Sequence, residues 1–162
     1  MAQIDDRLLM LDKYGSLKVP STLWLSMLFL CRHWIVLLML LVSVRKTPEA
    51  AQWLTSFTWV ALPMEAPIFL LFAAIAQRTP QAASLWRHIW KYGRTIIAAT
   101  AAMHLVFVGW SLWNAEVWRR WPELFLASCS LLDIAIIYSI YKDPFFTHLF
   151  EDFPSVEKKA AL

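Results

Sequence analysis

The chain has 162 residues, 59% of them hydrophobic and 17% charged, and carries a formal net charge of +3. An average soluble domain is about 45–50% apolar, so this composition, with a mean hydropathy of +0.51, exceeds what one soluble core can absorb. Ten Trp and ten Phe against three Gly and two Cys exclude collagen-like, disordered and disulfide-scaffold classes, and Lys and Arg lie in short blocks rather than on one basic face, which argues against nucleic acid as a partner.

What remains is an all-α integral membrane protein, a four-helix bundle forming a single membrane domain over residues 1–162. A hydrocarbon core of about 30 Å takes roughly 20 helical residues. After an amino-terminal arm (residues 1–20), four runs reach that length: Ser21 to Val44, Phe57 to Ala76, Thr95 to Asn114 and Glu123 to Tyr141. Their apolar residues occupy all faces, unlike those of a soluble amphipathic helix. Proline at a first helical position sacrifices no hydrogen bond, so Pro48, Pro80, Pro122 and Pro144 read as helix starts.

Between the second and third spans, residues 84–93 place Leu85, Trp86, Ile89 and Trp90 on one face and Arg87, His88 and Lys91 on the other. That is the pattern of a short amphipathic helix lying in the headgroup layer. Residues 144–153 repeat it, with Phe145, Phe146, Leu149, Phe150 and Phe153 in one stripe; residues 155–162 read as a flexible tail. Trp24, Trp53, Trp59, Trp110, Trp113, Trp118 and Trp121, with Tyr138 and Tyr141, fall near the span ends and read as interfacial anchors.

Lys and Arg outside the spans set the orientation. Arg7, Lys13, Lys18, Arg78, Arg87, Lys91, Arg94, Lys142, Lys158 and Lys159 lie on one side; Arg45, Lys46, Arg119 and Arg120 lie on the other. Both termini are therefore expected in the cytoplasm. The first apolar run starts only at Ser21 and has no small-residue cleavage site behind it, so no cleavable signal is expected.

Five ionisable residues sit inside the apolar runs, at matching depth: Arg32 and His33 in the first, Glu65 in the second, His104 in the third and Asp133 in the fourth. A charge at the bilayer centre costs about 2.5–3.5 kcal/mol, so the five are expected to face one another, with Arg32 paired to Asp133 or Glu65. Pro63 and Pro67 bracket Glu65 and predict a break in the second span. Thr100, His104 and Ser111 share a face of the third span; Cys129, Ser130 and Asp133 share a face of the fourth. Ala98 with Ala102 is the best small-residue pair for close helix approach, which makes the third span the expected centre.

Three readings of this cluster compete. One is a self-satisfied core fixing helix register in a structural or accessory membrane component. The second is a proton- or cation-coupled transport path through Glu65, Asp133, Arg32 and His104. The third is a haem or metal subunit using His33 and His104, with Glu65 and Asp133 as oxygen donors and Met64 and Met103 as soft ones. Two histidines without a spacing motif argue against the third, so neither metal nor cofactor is expected. Cys31 and Cys129 read as small hydrophobes. No nucleophile triad, Walker loop, dinucleotide turn or Cys-x-x-Cys pair is present, and no enzymatic activity is expected. The expected partners are the lipid bilayer and a second copy or another membrane protein.

The stretch Asp12-Lys13-Tyr14-Gly15-Ser16-Leu17-Lys18-Val19-Pro20, with Leu23-Trp24 and Leu28-Phe29-Leu30-Cys31-Arg32 behind it and Phe150-Glu151-Asp152-Phe153-Pro154 at the other end, resembles the YfeZ-like family of uncharacterised proteobacterial inner-membrane proteins. The resemblance implies a bacterial inner membrane and four spans, and no substrate, cofactor or catalytic residue.

Overall fold

The computed structural model describes residues 10–44, 59–113 and 121–155, with residues 121–126 described by backbone alone. Among the described residues the chain is all-helical: α1 (Ser21–Leu30), α2 (Arg32–Ser43), α3 (Ala61–Ala76), α4 (Ser84–Lys91), α5 (Gly93–Trp113), α6 (Trp121–Lys142) and α7 (Pro144–Glu151). The only β pairing among them is an isolated antiparallel bridge between Leu11 and Leu17.

That bridge folds the arm into a tight loop. Asp12 Oδ1 accepts hydrogen bonds from the backbone N–H groups of Tyr14 (2.8 Å) and Ser16 (3.0 Å), and Gly15 takes the positive φ of 72° that the turn requires.

The first expected span is not one helix. It breaks at Cys31, whose backbone (φ −94°, ψ 19°) leaves the helical region, and α1 and α2 diverge by 63°. The second is shorter than expected: α3 has 16 residues and begins at Ala61. The third, α5, is continuous over 21 residues and is long and apolar enough to cross a membrane by itself; α1 and α2 meet that requirement only when counted together. The fourth, α6, has 22 residues.

One of the expected helix-starting prolines does not start a helix. Pro80 lies in a turn, and α4 starts at Ser84 instead. Pro144 does occupy the first position of α7, where Asp143 caps the helix by accepting from Phe145 N–H at 3.0 Å. Pro48 and residues 156–162 lie outside the described residues, as do Trp53 and Trp118.

α5 is the central element, packing against α1, α3, α4, α6 and α7. Its buried stripe is Gly93, Ile97, Thr100, Ala101, His104 and Val108. Ala102, by contrast, is exposed, so the close-approach pair read from the sequence is replaced by this stripe. Gly93 is needed for contact rather than conformation, since a Cβ there would run into the Phe150 ring.

The two short amphipathic helices pack apolar residues against the protein, α7 with most of its stripe and α4 through Trp90. Phe145, Phe146, Leu149 and Phe150 of α7 are all buried, each worth about 1.5–3 kcal/mol when removed from water. Trp90 of α4 is buried against them: its ring lies 4.8 Å from that of Phe150, and its Nε1–H donates to the carbonyls of Leu149 (2.9 Å) and Asp152 (3.1 Å). Leu85, on the same predicted stripe, remains exposed.

Candidate functional site

The break at Cys31 frees the first backbone N–H groups of α2, which have no intrahelical acceptor. The Cys31 side chain makes no capping bond. Glu65, reaching across from α3, takes that role: Oε1 accepts from His33 N–H at 3.2 Å and Oε2 from Trp34 N–H at 3.4 Å. These are the second and third helical positions, the ones an N-cap side chain ordinarily serves. The positive end of the α2 dipole faces the same carboxylate. Trp34 reinforces the junction by donating its indole N–H to the Leu62 carbonyl at 3.2 Å.

Glu65 Oε1 also meets two imidazoles. His33 Nδ1 lies 2.6 Å from it and His104 Nε2 3.2 Å. The other nitrogen of His104, Nδ1, points toward Asp133 Oδ1 at 3.7 Å. Asp133 is held from α6 by Arg32 in a two-pronged ion pair, Nη1 to Oδ1 at 3.1 Å and Nη2 to Oδ2 at 3.0 Å, the strongest geometry available to these groups. The guanidinium also stacks over Phe29, 4.7 Å from the ring centroid.

All five sequence-predicted residues therefore converge, from α2, α3, α5 and α6. Glu65, His104 and Asp133 are fully buried; the side chains of Arg32 and His33 are 14% and 17% exposed. One Arg faces two carboxylates, so a single proton on a histidine brings the group to neutrality. A neutral imidazole carries one N–H and cannot donate to Glu65 and Asp133 together. Neither His104 nitrogen, moreover, makes a well-aligned hydrogen bond, and one turn away Thr100 Oγ1 is buried without a partner.

Pro63 and Pro67 do not break their helix. Pro63 falls in the first turn of α3, where its missing N–H costs nothing, and only Pro67 is interior. Met64 and Met103 lie outside the cluster, lining an open apolar pocket with Ala102, Val106, Phe107 and Trp110. Glu65 fills the gap between the His33 and His104 rings, whose centroids are 5.6 Å apart, leaving no room for a porphyrin between them. The donors that could hold an ion are His33, Glu65 and His104, whose ligand atoms all lie within 4.8 Å of one another.

A second buried charge was missed by sequence reasoning. Arg78, just past α3, donates from Nη1 to the Leu17 carbonyl at 2.6 Å and from Nη2 to the Asp152 carbonyl at 2.9 Å. It lies 3.7 Å from the Asp152 carboxylate and 4.0 Å from that of Asp12, and its guanidinium stacks over Trp90 at 4.9 Å. Burial draws the Arg78 guanidinium below its ordinary pKa, against the opposing pull of Asp12 and Asp152. Leu17 N–H in turn donates to Asp152 Oδ2 at 2.5 Å. The arm and the Phe150-to-Pro154 stretch, far apart in sequence, are thus joined through one arginine.

Known proteins add little chemistry to this geometry. No curated protein and no solved structure matches the chain. A family described as "Protein of unknown function (DUF2919)" matches residues 7–152, a stretch that includes both the Arg32–Asp133 and Glu65 cluster and the Arg78 junction, and the chain belongs to that family.

Proposed function

We propose that the chain is a multi-pass protein of the bacterial inner membrane, acting as a structural or accessory component rather than as an enzyme, with both termini in the cytoplasm. One observation carries the reading: the molecule is apolar outside and charged inside. Leu25, Leu38, Met39, Val106, Leu131 and Ile134 are all exposed, whereas Glu65, His104 and Asp133 are fully buried. Only 28% of the apolar window of α5 is buried, although α5 is the central helix. Such an outward surface exceeds what a soluble monomer tolerates and suits lipid. The resemblance to the YfeZ-like family supports the bacterial inner membrane, and the ten-to-four division of Lys and Arg supports the orientation. In this reading Glu65 and the Arg32–Asp133 pair pin the broken first span to the bundle, and the partners are lipid and a second copy or another membrane protein.

Reporter fusions test it. Fusions after Leu162 and between Thr79 and Lys91 should report cytoplasm, and fusions near Glu49 and Ala115 periplasm. An odd number of crossings, or release of the protein from membranes by alkaline carbonate, would refute the proposal.

A second reading, a proton- or cation-coupled transport protein, draws on the broken helix and the buried carboxylate at its N-terminal end, since broken helices line the substrate and ion sites of transporters. Proteoliposomes loaded with a pH-sensitive dye separate the two. A proton flux that disappears in Glu65→Gln supports transport, and tight vesicles support the accessory role.

A further inference from the structure

His104 is the least satisfied side chain of the cluster. It is completely buried, yet neither ring nitrogen has a hydrogen-bond partner. Its Nε2 is 3.2 Å from Glu65 Oε1 and its Nδ1 is 3.7 Å from Asp133 Oδ1. Whichever neutral tautomer is drawn, one nitrogen lone pair faces an anionic oxygen. A second ring proton removes that repulsion, and so does a metal ion bound at Nε2.

We infer that His33, Glu65 and His104 form a binding site for one divalent transition-metal ion of the zinc class. Two imidazoles and one carboxylate are a set that Zn2+ accepts, with a fourth position left for water. Imidazole donors disfavour Mg2+ and Ca2+, which take oxygen ligands. The three donor atoms already lie within 4.8 Å of one another, and a tetrahedral ion with bonds of about 2.0–2.2 Å needs only rotamer-scale adjustment. His33 Nδ1 lies in hydrogen-bond contact with Glu65 Oε1 at 2.6 Å, and the ion takes the place of the proton between them. His33 retains 17% exposure and supplies the route of access.

Asp133 is the positioning residue. It stands 3.7 Å from His104 Nδ1, so that closing to accept a proton there would direct the Nε2 lone pair at the ion, and Arg32 fixes its orientation through both oxygens. Carboxylate–histidine–metal relays of this kind set the tautomer and ligand basicity of metal-bound histidines. The donors come from α2, α3 and α5, so the bound ion ties the second half of the broken span to the centre of the bundle. This inference does not rest on the accessory reading, and the topology fusions would be unaffected by its failure.

The test uses the full chain, purified in detergent and stripped with a chelator. Zn2+ in competition with a chromophoric chelator should bind at one ion per chain, and Co2+ should give the intense visible absorption of a four-coordinate N/O site. Glu65→Gln keeps one acceptor oxygen for the freed N–H groups of α2 while removing the charge. It and His104→Gln should each weaken Zn2+ binding at least about tenfold, and Asp133→Asn about 10–100-fold, with helicity by circular dichroism retained. His88 and His148 are exposed, so the double variant His88→Ala with His148→Ala should bind as the wild type does. Where an internal variant fails to fold, the wild-type protein decides: saturating Zn2+ should raise its Tm. An unmoved Tm, or binding that survives Glu65→Gln and vanishes with His88 and His148, overturns the inference.

Discussion

The α1–α2 segment and α3 make an instructive pair. The first contains no proline between Ser21 and Val44 and yet breaks at Cys31; α3 contains two prolines and runs unbroken from Ala61 to Ala76. Proline counts alone predict the opposite. The difference lies in where the orphaned backbone groups go. Pro63 falls where no intrahelical bond would form, and Pro67 removes a single one. At Cys31 several donors are freed together, and the break persists because a carboxylate on another helix accepts from residues 33 and 34. A helix breaks where the tertiary structure offers its N–H groups a partner, and proline is neither necessary nor sufficient.

The largest expected effect tests what holds the lower half of the break in place. Asp133→Leu leaves the Arg32 guanidinium buried without a counter-charge and should destabilise the bundle by about 3–5 kcal/mol on the soluble-protein scale. The double variant Arg32→Leu with Asp133→Leu should recover much of that loss, as read from unfolding in mixed detergent and treated as a double-mutant cycle. A double variant no more stable than the single would show that the 3.0 Å pairing contributes nothing.

A somewhat smaller effect isolates the cap. Glu65→Ala removes the acceptor of two backbone N–H groups, each left unsatisfied at about 1–3 kcal/mol, and should cost about 2–4 kcal/mol. Amide exchange at residues 33 and 34 should accelerate while that of Ile97 and Ala101 in α5 does not. Glu65→Gln, whose single carbonyl oxygen accepts from one of the two N–H groups, should preserve part of the protection. Uniform acceleration across α2 and α5 would mean that Glu65 supports the bundle generally rather than the break.

The smallest effects belong to α3. Pro63→Ala should change stability by less than about 0.5 kcal/mol, since its position demands no N–H, and Pro67→Ala by less than about 1 kcal/mol, the regained bond offsetting lost fit. If Pro67→Ala altered amide protection in α2, the two helices would be coupled through more than Glu65.

Residue order alone carried the helical class, the approximate positions of α3, α5, α6 and α7, and the five ionisable residues at one depth. Those are properties of composition and of periodicity along one segment: an apolar run of a given length, or a charge a given number of turns from its end, is visible without neighbours. Which residues meet was decided by the tertiary structure. Glu65 serves as the cap of α2 although the two lie more than thirty positions apart, and Arg78 joins Leu17 to Asp152 across separations of 61 and 74 residues; no local pattern marks either. The aromatic stripe of α7 was legible as a stripe, but periodicity shows only that a helix has an apolar face. Whether that face meets lipid or Trp90 and Gly93 depends on what the rest of the chain brings alongside it, because burial is a relation between elements rather than a property of one.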